Sequence, residues 1–286
     1  MGAEAITDIE FRLLRDYIEQ QCGIALSEDK AYLVETRLAG LLAETGCADF
    51  GSFYRLASGG AKPELKDKIV DAMTTNETLW FRDGLPFRIL KEKLLPELGE
   101  HLRQGRRFRI RIWSAASSTG QEPYSIAMEI LEYCRRNPGL NPDQFEILAT
   151  DISPSALFLA RAARYDNAAI GRGMPEDLKA KYFTQAGPVW SLNDEVKRMV
   201  TLKKFNLQDP LGPLGRFDIV FCRYVTIYFA EPFKKRIYEG IAQLIAPDGY
   251  LIISAVENLG GYSGSFQNLS HSGGTFYQCK ANGVAP

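Results

Sequence analysis

The sequence predicts an α/β protein: an open, mostly parallel sheet behind a small helical N-terminal domain, with a β-hairpin inserted in the sheet domain. Three observations carry this. Residues 1–73 show helical spacing of apolar residues and no strand signal. From about residue 109, short apolar runs alternate with amphipathic stretches, the rhythm of strands joined by crossover helices. Between about 166 and 205 that rhythm breaks into a Gly- and Lys-rich segment.

In the first domain, Thr7 and Glu10 have the spacing of a capping box, and Phe11, Leu14, Tyr17 and Ile18 follow at helical spacing up to Gly23. Ser27 is placed to cap a second helix carrying Leu33, Leu38, Leu41 and Leu42, closed by Gly46. A third helix covers Phe50–Ala57, and Pro63 starts a fourth with Leu65, Ile69 and Met73 on one face. Residues 74–90 form an interdomain segment, beginning with the polar run Thr74–Thr78. A helix is expected from about Leu85 to Leu98.

The second domain spans 91–286. Arg109–Trp113 alternates with period two and reads as a strand, followed by small residues and a helix from Pro123 to Cys134. Phe145–Thr150 is a second strand, ending at Asp151, and Ser153-Pro154 opens a helix through Arg164. Val189–Leu192 and Val196–Leu202 around Asn193-Asp194 read as the inserted hairpin. Phe217–Cys222 is apolar enough to be buried on both faces. A helix at Pro232–Ile245, a turn at Pro247-Asp248-Gly249 and strands at Tyr250–Ser254 and Thr275–Cys279 complete the chain.

Composition excludes several classes. Net charge is −1, so no overall basic field draws the chain to nucleic acid or an anionic membrane. No apolar run is long enough to span a bilayer, and the N-terminal residues lack the basic flank and apolar block of a secretory signal. The five cysteines include no CxxC pair, which fits free thiols in a reducing, cytoplasmic compartment. The only histidines, His101 and His271, have no companion ligand at helical spacing, so no metal site is expected.

Open α/β sheets bind ligands beyond the carboxyl ends of their strands. After the first strand comes Ser114–Glu122, rich in small residues. It matches neither GxGxxG nor a phosphate-binding loop, which argues against a nicotinamide oxidoreductase. After the second comes Asp151, an acid placed either to accept hydrogen bonds from ribose hydroxyls or simply to favour a helix start. It lies 31 residues past Gly120, longer than the dinucleotide spacing, which favours a ribosylated ligand without a pyrophosphate, such as S-adenosylmethionine. After the third comes Arg223–Phe229, whose two tyrosines suit either packing or a site.

The segments Asn76–Arg82, Trp113–Ser125, Ala149–Ile152, Phe205–Leu207 and Phe217–Phe229, in this order and spacing, resemble the chemotaxis receptor methyltransferases of the CheR family. The resemblance covers nearly the whole chain. It implies a Rossmann-like methyltransferase sheet and transfer of a methyl group from S-adenosylmethionine to receptor glutamates, leaving S-adenosylhomocysteine. It implies cofactor contacts at Asn76, Thr78, Arg82, Glu122, Asp151, Asn206, Leu207, Arg223 and Tyr224, with Arg82 and Tyr228 nearest the reacting groups. Arg82 is a fixed cation able to clamp a carboxylate bidentately. A unit pair at about 4 Å is worth about 4 kcal/mol at an effective dielectric of about 20, before desolvation. Glu122 is placed to face the cofactor ammonium.

The chain departs from the family in four places. Tyr224 stands where the family often has asparagine, and Ser254-Ala-Val-Glu257 replaces Gly-His-Ser-Glu. The hairpin loop at Gly187–Asn193 is short, so no tethering to a receptor's C-terminal pentapeptide is expected. Residues 1–66 carry 7 basic and 11 acidic residues, a net of −4, against the basic face usual in the family. The partner implied is a chemoreceptor helical bundle, with no nucleic acid and no membrane insertion. The substitutions at Tyr224 and 254–257 motivate one alternative, a degenerate relative that binds the cofactor or its product and signals by protein contact; a further alternative is a methyltransferase of another protein or of a small carboxylic acid.

Overall fold

The structure, a computed structural model, describes residues 5–60, 62–262 and 264–280; the last six residues of the 91–286 domain lie outside them. Four helices form the N-terminal unit: α1 (Asp8–Cys22), α2 (Ala31–Thr45), α3 (Phe50–Ser58) and α4 (Pro63–Met73). The capping box is in place: the Thr7 hydroxyl accepts from the Glu10 N–H, and the Glu10 carboxylate accepts from the Thr7 N–H. Gly23 ends α1 at φ +79°. Phe11, Leu14 and Ile18 meet Val34, Leu38, Phe50, Phe53 and Ile69 in one buried cluster. Burying each such side chain contributes about 1.5–3 kcal/mol. Ser27 does not cap α2. Its hydroxyl bonds Asp29 instead, and a 3₁₀ turn at Glu28–Lys30 leads into the helix.

The helix expected at 85–98 runs further, as α5 (Leu85–Ile89), a π-helical stretch at Leu90–Leu94 and α6 (Leu95–Arg103). The wide turn falls just before Pro96, which has no N–H for the preceding turn.

Among the described residues the second unit holds ten strands: β1 (Ile110–Ala115), β2 (Phe145–Asp151), β3 (Arg164–Asp166), β4 (Phe183–Ala186), β5 (Val189–Leu192), β6 (Val200–Lys204), β7 (Phe217–Cys222), β8 (Ile245–Ile252), β9 (Phe266–His271) and β10 (Gly274–Cys279). Seven form one sheet in the order β6-β2-β1-β7-β8-β10-β9, parallel except where β10 runs against both neighbours. The helices α7 (Gln121–Arg136), α8 (Pro154–Ala162) and, later in the chain, the long helix at Glu231–Leu244 connect its strands. Every residue of β7 is buried, as its apolar run predicts. Apolar clusters cover both faces: Ile112, Ile126, Ile130, Ile147 and Phe221 lie in one, and Trp113, Val220, Ile237, Ile241 and Leu251 in the other.

Three expectations are corrected. The hairpin turns at Gly187 (φ +60°), not at Asn193-Asp194: β5 pairs back onto β4 and, on its other side, onto β3. Val196 instead sits in a short helix, fully buried, and β6 leaves the insertion to pair with β2. That pairing satisfies the backbone edge of β2, which a closed hairpin would leave exposed. At β8, Ile245 pairs with Phe217 and Tyr250 with Ile219, so Pro247-Asp248-Gly249 is a bulge within a longer strand. Gly249 is required there, since a Cβ would lie 2.7 Å from the Asp218 carbonyl oxygen. β9 (FQNLSH) carries no strict apolar alternation and so gives no strand signal in the sequence.

From β1 the chain builds outward through β2 to β6, then crosses to β7 on the other side of β1. The reversal places the carboxyl ends of β1 and β7 side by side, where such sheets bind ligands.

Candidate active site

The loop after β1 turns tightly because Ala116 (φ +57°) and Ser118 (φ +50°) both adopt the left-handed conformation, uncommon without glycine. Three bonds hold it. The Ser117 N–H donates to the Thr150 carbonyl (2.9 Å), the Ser118 N–H to Asp151 Oδ2 (2.7 Å), and the Ser118 hydroxyl to the Asn76 carbonyl (2.8 Å).

Asp151 at the end of β2 also accepts from the Ser153 N–H at 2.9 Å. Burial pushes its carboxyl above the usual aspartate value, and the N–H donors of Ser153, Ser118 and Ile152 partly offset that. Ser153 caps α8 (3.0 Å from the Ala156 N–H), donates to Asp71 of α4 and accepts from the Asn76 amide at 3.4 Å. The interdomain segment is thus stitched to both strand ends.

After β7, the Arg223 side chain is 1% exposed and binds two carboxylates, Glu122 (2.8 Å) and Asp83 (2.7 Å). Glu122 accepts from the Ser114 hydroxyl on its other oxygen. Both Glu122 oxygens are therefore engaged, and its nearest cation is Arg223. Tyr224 sits at φ +56°, its hydroxyl 2.9 Å from both Asp83 oxygens. The Arg82 guanidinium lies over the Tyr224 ring, 3.3 Å from its centroid. Glu257 organises this loop. Its carboxylate accepts from the N–H groups of Tyr224, Val225, Thr226 and Ser254 and from the hydroxyls of Thr226 and Ser254, all within 2.6–3.2 Å.

The N-terminal unit closes the fourth side. Ile24 bridges Phe229, and the Ala25 N–H donates to the Tyr228 carbonyl at 2.9 Å. The Asn206 amide donates to the Gln21 carbonyl (2.8 Å) and that of Gln208 to the Glu19 carbonyl (2.9 Å). Asn206 thus spends its amide on the domain contact. Cys22 lines the wall, its thiol pushed up to about 11 by burial.

These elements enclose one cleft of about 1020 Å³ of empty space, part of it open to solvent. Asn76, Thr78, Arg82, Glu122, Asp151, Asn206, Leu207, Arg223, Tyr224 and Tyr228 all line it. No histidine does, among the described residues.

Residues 76–274 match the family described as CheR methyltransferase, SAM binding domain, and residues 9–74 match CheR methyltransferase, all-alpha domain. The chain belongs to the CheR methyltransferase family. It is 44% identical to the chemotaxis protein methyltransferase of Vibrio parahaemolyticus, over 98% of this chain and all of that one. It is 43% identical to chemotaxis protein methyltransferase 1 of Vibrio cholerae over the same shares, and 41% identical to the Pseudomonas aeruginosa protein of that name, over 95% and 98%.

The CheR cleft fits S-adenosylmethionine by the chemistry of its lining. Ile24, Ile152, Phe205, Leu207 and Phe229 supply apolar walls for a planar base. Asp151 retains lone pairs for hydroxyl donors. The Ser117 hydroxyl, 2% exposed, has no partner among the described residues and belongs to the lining, a buried polar group of the kind that a ligand satisfies. Sequence reasoning missed the parts played by Asp83 and Glu257. Glu257 carried a signal, since it is the one position where Ser254-Ala-Val-Glu257 keeps the family residue. Asp83 carried only its adjacency to Arg82.

Proposed function

We propose that this chain methylates glutamate side chains on the helical bundle of a chemoreceptor, in the cytoplasm, forming glutamate methyl esters. The observation that supports it is the meeting of five motifs, separated in sequence, around one cleft that carries Arg82 and Tyr228 and no histidine. S-adenosylmethionine supplies a methyl group made electrophilic by its sulfonium. Esterification of a carboxylate needs no general base, because glutamate, with a pKa near 4.3, is already ionised at neutral pH. What this chain must do is position. Asp151 takes the ribose hydroxyls, Asn76, Thr78, Asn206 and Leu207 flank the nucleoside, and Glu122, already shared with Arg223, faces the ammonium. Arg82 holds a carboxylate, and the Tyr228 hydroxyl orients the acceptor oxygen. The wall around Ile24 and Phe229 closes one side of the cleft, so that once the acceptor is seated the opposite charges meet with less competing solvation.

A cofactor-binding protein without transferase activity is not favoured. The substitutions that raised it are absorbed by the fold, with Glu257 holding the loop and Tyr224 packed on Arg82. Incubating the full chain with S-adenosylmethionine labelled in its methyl group and a receptor-containing fraction is expected to yield a base-labile label on the receptor. Tight cofactor binding with no transferred label overturns the reading, and label on an unrelated protein reassigns the substrate.

A further inference from the structure

Tyr224 stands where the family often has asparagine, and its surroundings give the side chain work of its own. An arginine followed by an aspartate is readily neutralised by its neighbour. Here Asp83 faces elsewhere, its carboxylate held by Arg223 at 2.7 Å and by the Tyr224 hydroxyl at 2.9 Å. Arg82 makes no ion pair within 4.0 Å among the described residues. Among the described residues its side chain makes one hydrogen bond, from Nη1 to the Glu77 carbonyl at 3.1 Å, and its guanidinium is stacked on the Tyr224 ring, while its backbone carbonyl accepts from Arg223 at 2.8 Å. Stacking leaves the in-plane N–H donors of a guanidinium free for a ligand. The left-handed backbone that turns this ring under Arg82 is uncommon for tyrosine. It is secured by the three consecutive N–H groups, Tyr224 to Thr226, that donate to Glu257.

We propose that Tyr224 is a positioning residue: its ring carries the Arg82 guanidinium flat on the cleft wall, and its hydroxyl keeps Asp83 turned away, leaving Arg82 as an unpaired cation for a carboxylate. This rests on the role proposed above for Arg82. The carboxylate has two possible sources, the methionine tail of the cofactor and the acceptor glutamate, and the test separates them.

Calorimetry on the full chain compares S-adenosylhomocysteine with its decarboxylated analogue, 5′-(3-aminopropylthio)-5′-deoxyadenosine, in the unsubstituted protein and in Tyr224→Leu, Tyr224→Phe and Arg82→Ala. KM and kcat for a soluble receptor fragment are measured on the same set. Tyr224→Leu is expected to lose about tenfold in a charge-assisted contact, the size of one such bond. The loss falls on the preference for S-adenosylhomocysteine over its analogue if the cofactor supplies the carboxylate, and on KM for the receptor if the acceptor does. Affinity for the decarboxylated analogue stays within twofold, which a general structural defect would not allow. Tyr224→Phe, which keeps the ring and leaves Asp83 held by Arg223, is expected to lose much less than Tyr224→Leu. Tyr224→Asn, suited to a left-handed backbone, serves as a second variant should the leucine protein fail to fold.

Equal weakening of both nucleosides, or no change beyond twofold in either arm, overturns the inference. If Arg82→Ala loses the preference or raises KM while Tyr224→Leu and Tyr224→Asn do not, the positioning role alone falls. If Arg82→Ala also changes nothing, the reading of Arg82 falls with it.

Discussion

Tyr228 is 37% exposed at the mouth of the cleft, and its hydroxyl makes no hydrogen bond among the described residues. A group held in place by its backbone, through the Ala25 N–H, yet free at its tip is suited to orient an incoming carboxylate. Tyr228→Phe is expected to lower turnover about tenfold, the worth of one hydrogen bond to a charged group, with S-adenosylhomocysteine affinity within twofold. Steady-state kinetics beside calorimetry checks this, and equal losses in both count against the role. Asp151 makes a pH prediction. Its carboxyl is raised by burial, so it takes up a proton at higher pH than a free aspartate. Ribose binding needs the ionised form as acceptor, so S-adenosylhomocysteine affinity should fall on acidification, with a midpoint above 3.8, and Asp151→Asn should flatten the profile. Folding responds with the opposite sign. A raised native pKa contributes stability present below the unfolded value and lost as pH rises through the native one. The buried charge therefore costs the folded protein stability at neutral pH.

At the scale of elements, Glu132 on α7 shows how the inserted sheet is fastened. It accepts from Lys181, from the Tyr182 hydroxyl at 2.6 Å and from Arg135 at 2.9 Å. Burial raises its carboxyl, but these donors prevail and hold it down at about 2. Stability from a lowered pKa is present above the unfolded value of 4.5 and is lost as pH falls toward 2. Glu132→Gln is expected to cost about 1.5–3 kcal/mol at pH 7, by hydrogen bonds to a charged group, and progressively less below pH 4.5. Denaturant titrations at both pH values check it, and a pH-independent difference sinks it. The same insertion shows why local reading missed its register. Asn193-Asp194 is a plausible turn, but Val196 is drawn into the core and β6 to the open edge of β2, and neither attraction is visible within a ten-residue window.

For the whole molecule, the cleft depends on the end of α1 resting against the sheet domain. Gly23 sits at that contact with φ +79°, and a Cβ there would lie 2.1 Å from the Phe233 ring. Gly46 closes α2 at φ +70° with open space around it. Both glycine-to-alanine changes carry the left-handed penalty of about 1–2 kcal/mol. Only Gly23→Ala is expected to weaken S-adenosylhomocysteine binding as well, because it displaces the Ile24–Phe229 bridge. Melting temperature and calorimetry on the pair check this, and unchanged affinity in Gly23→Ala detaches domain closure from the site. Ligand at about 100 times its Kd should stabilise the unsubstituted protein by about 2.7 kcal/mol.

Periodicity and capping residues were enough to locate the four N-terminal helices, β1, β2 and β7, because those elements answer to local spacing and to burial on known faces. The seven residues singled out after the strands line the cleft because a parallel sheet delivers every carboxyl end to one edge, and Asn76, Thr78 and Arg82 line it from the interdomain segment. Which of their polar atoms stay available was settled only by three-dimensional contact. Asn206 gives its amide to Gln21, Glu122 shares its charge with Arg223, Glu257 gathers the loop after β7, and Asp83 leaves Arg82 unpaired. Hydrogen bonds are short-ranged and saturable, so partners 33 or 140 residues apart compete for the same lone pairs only once the chain has brought them within 3 Å of one another.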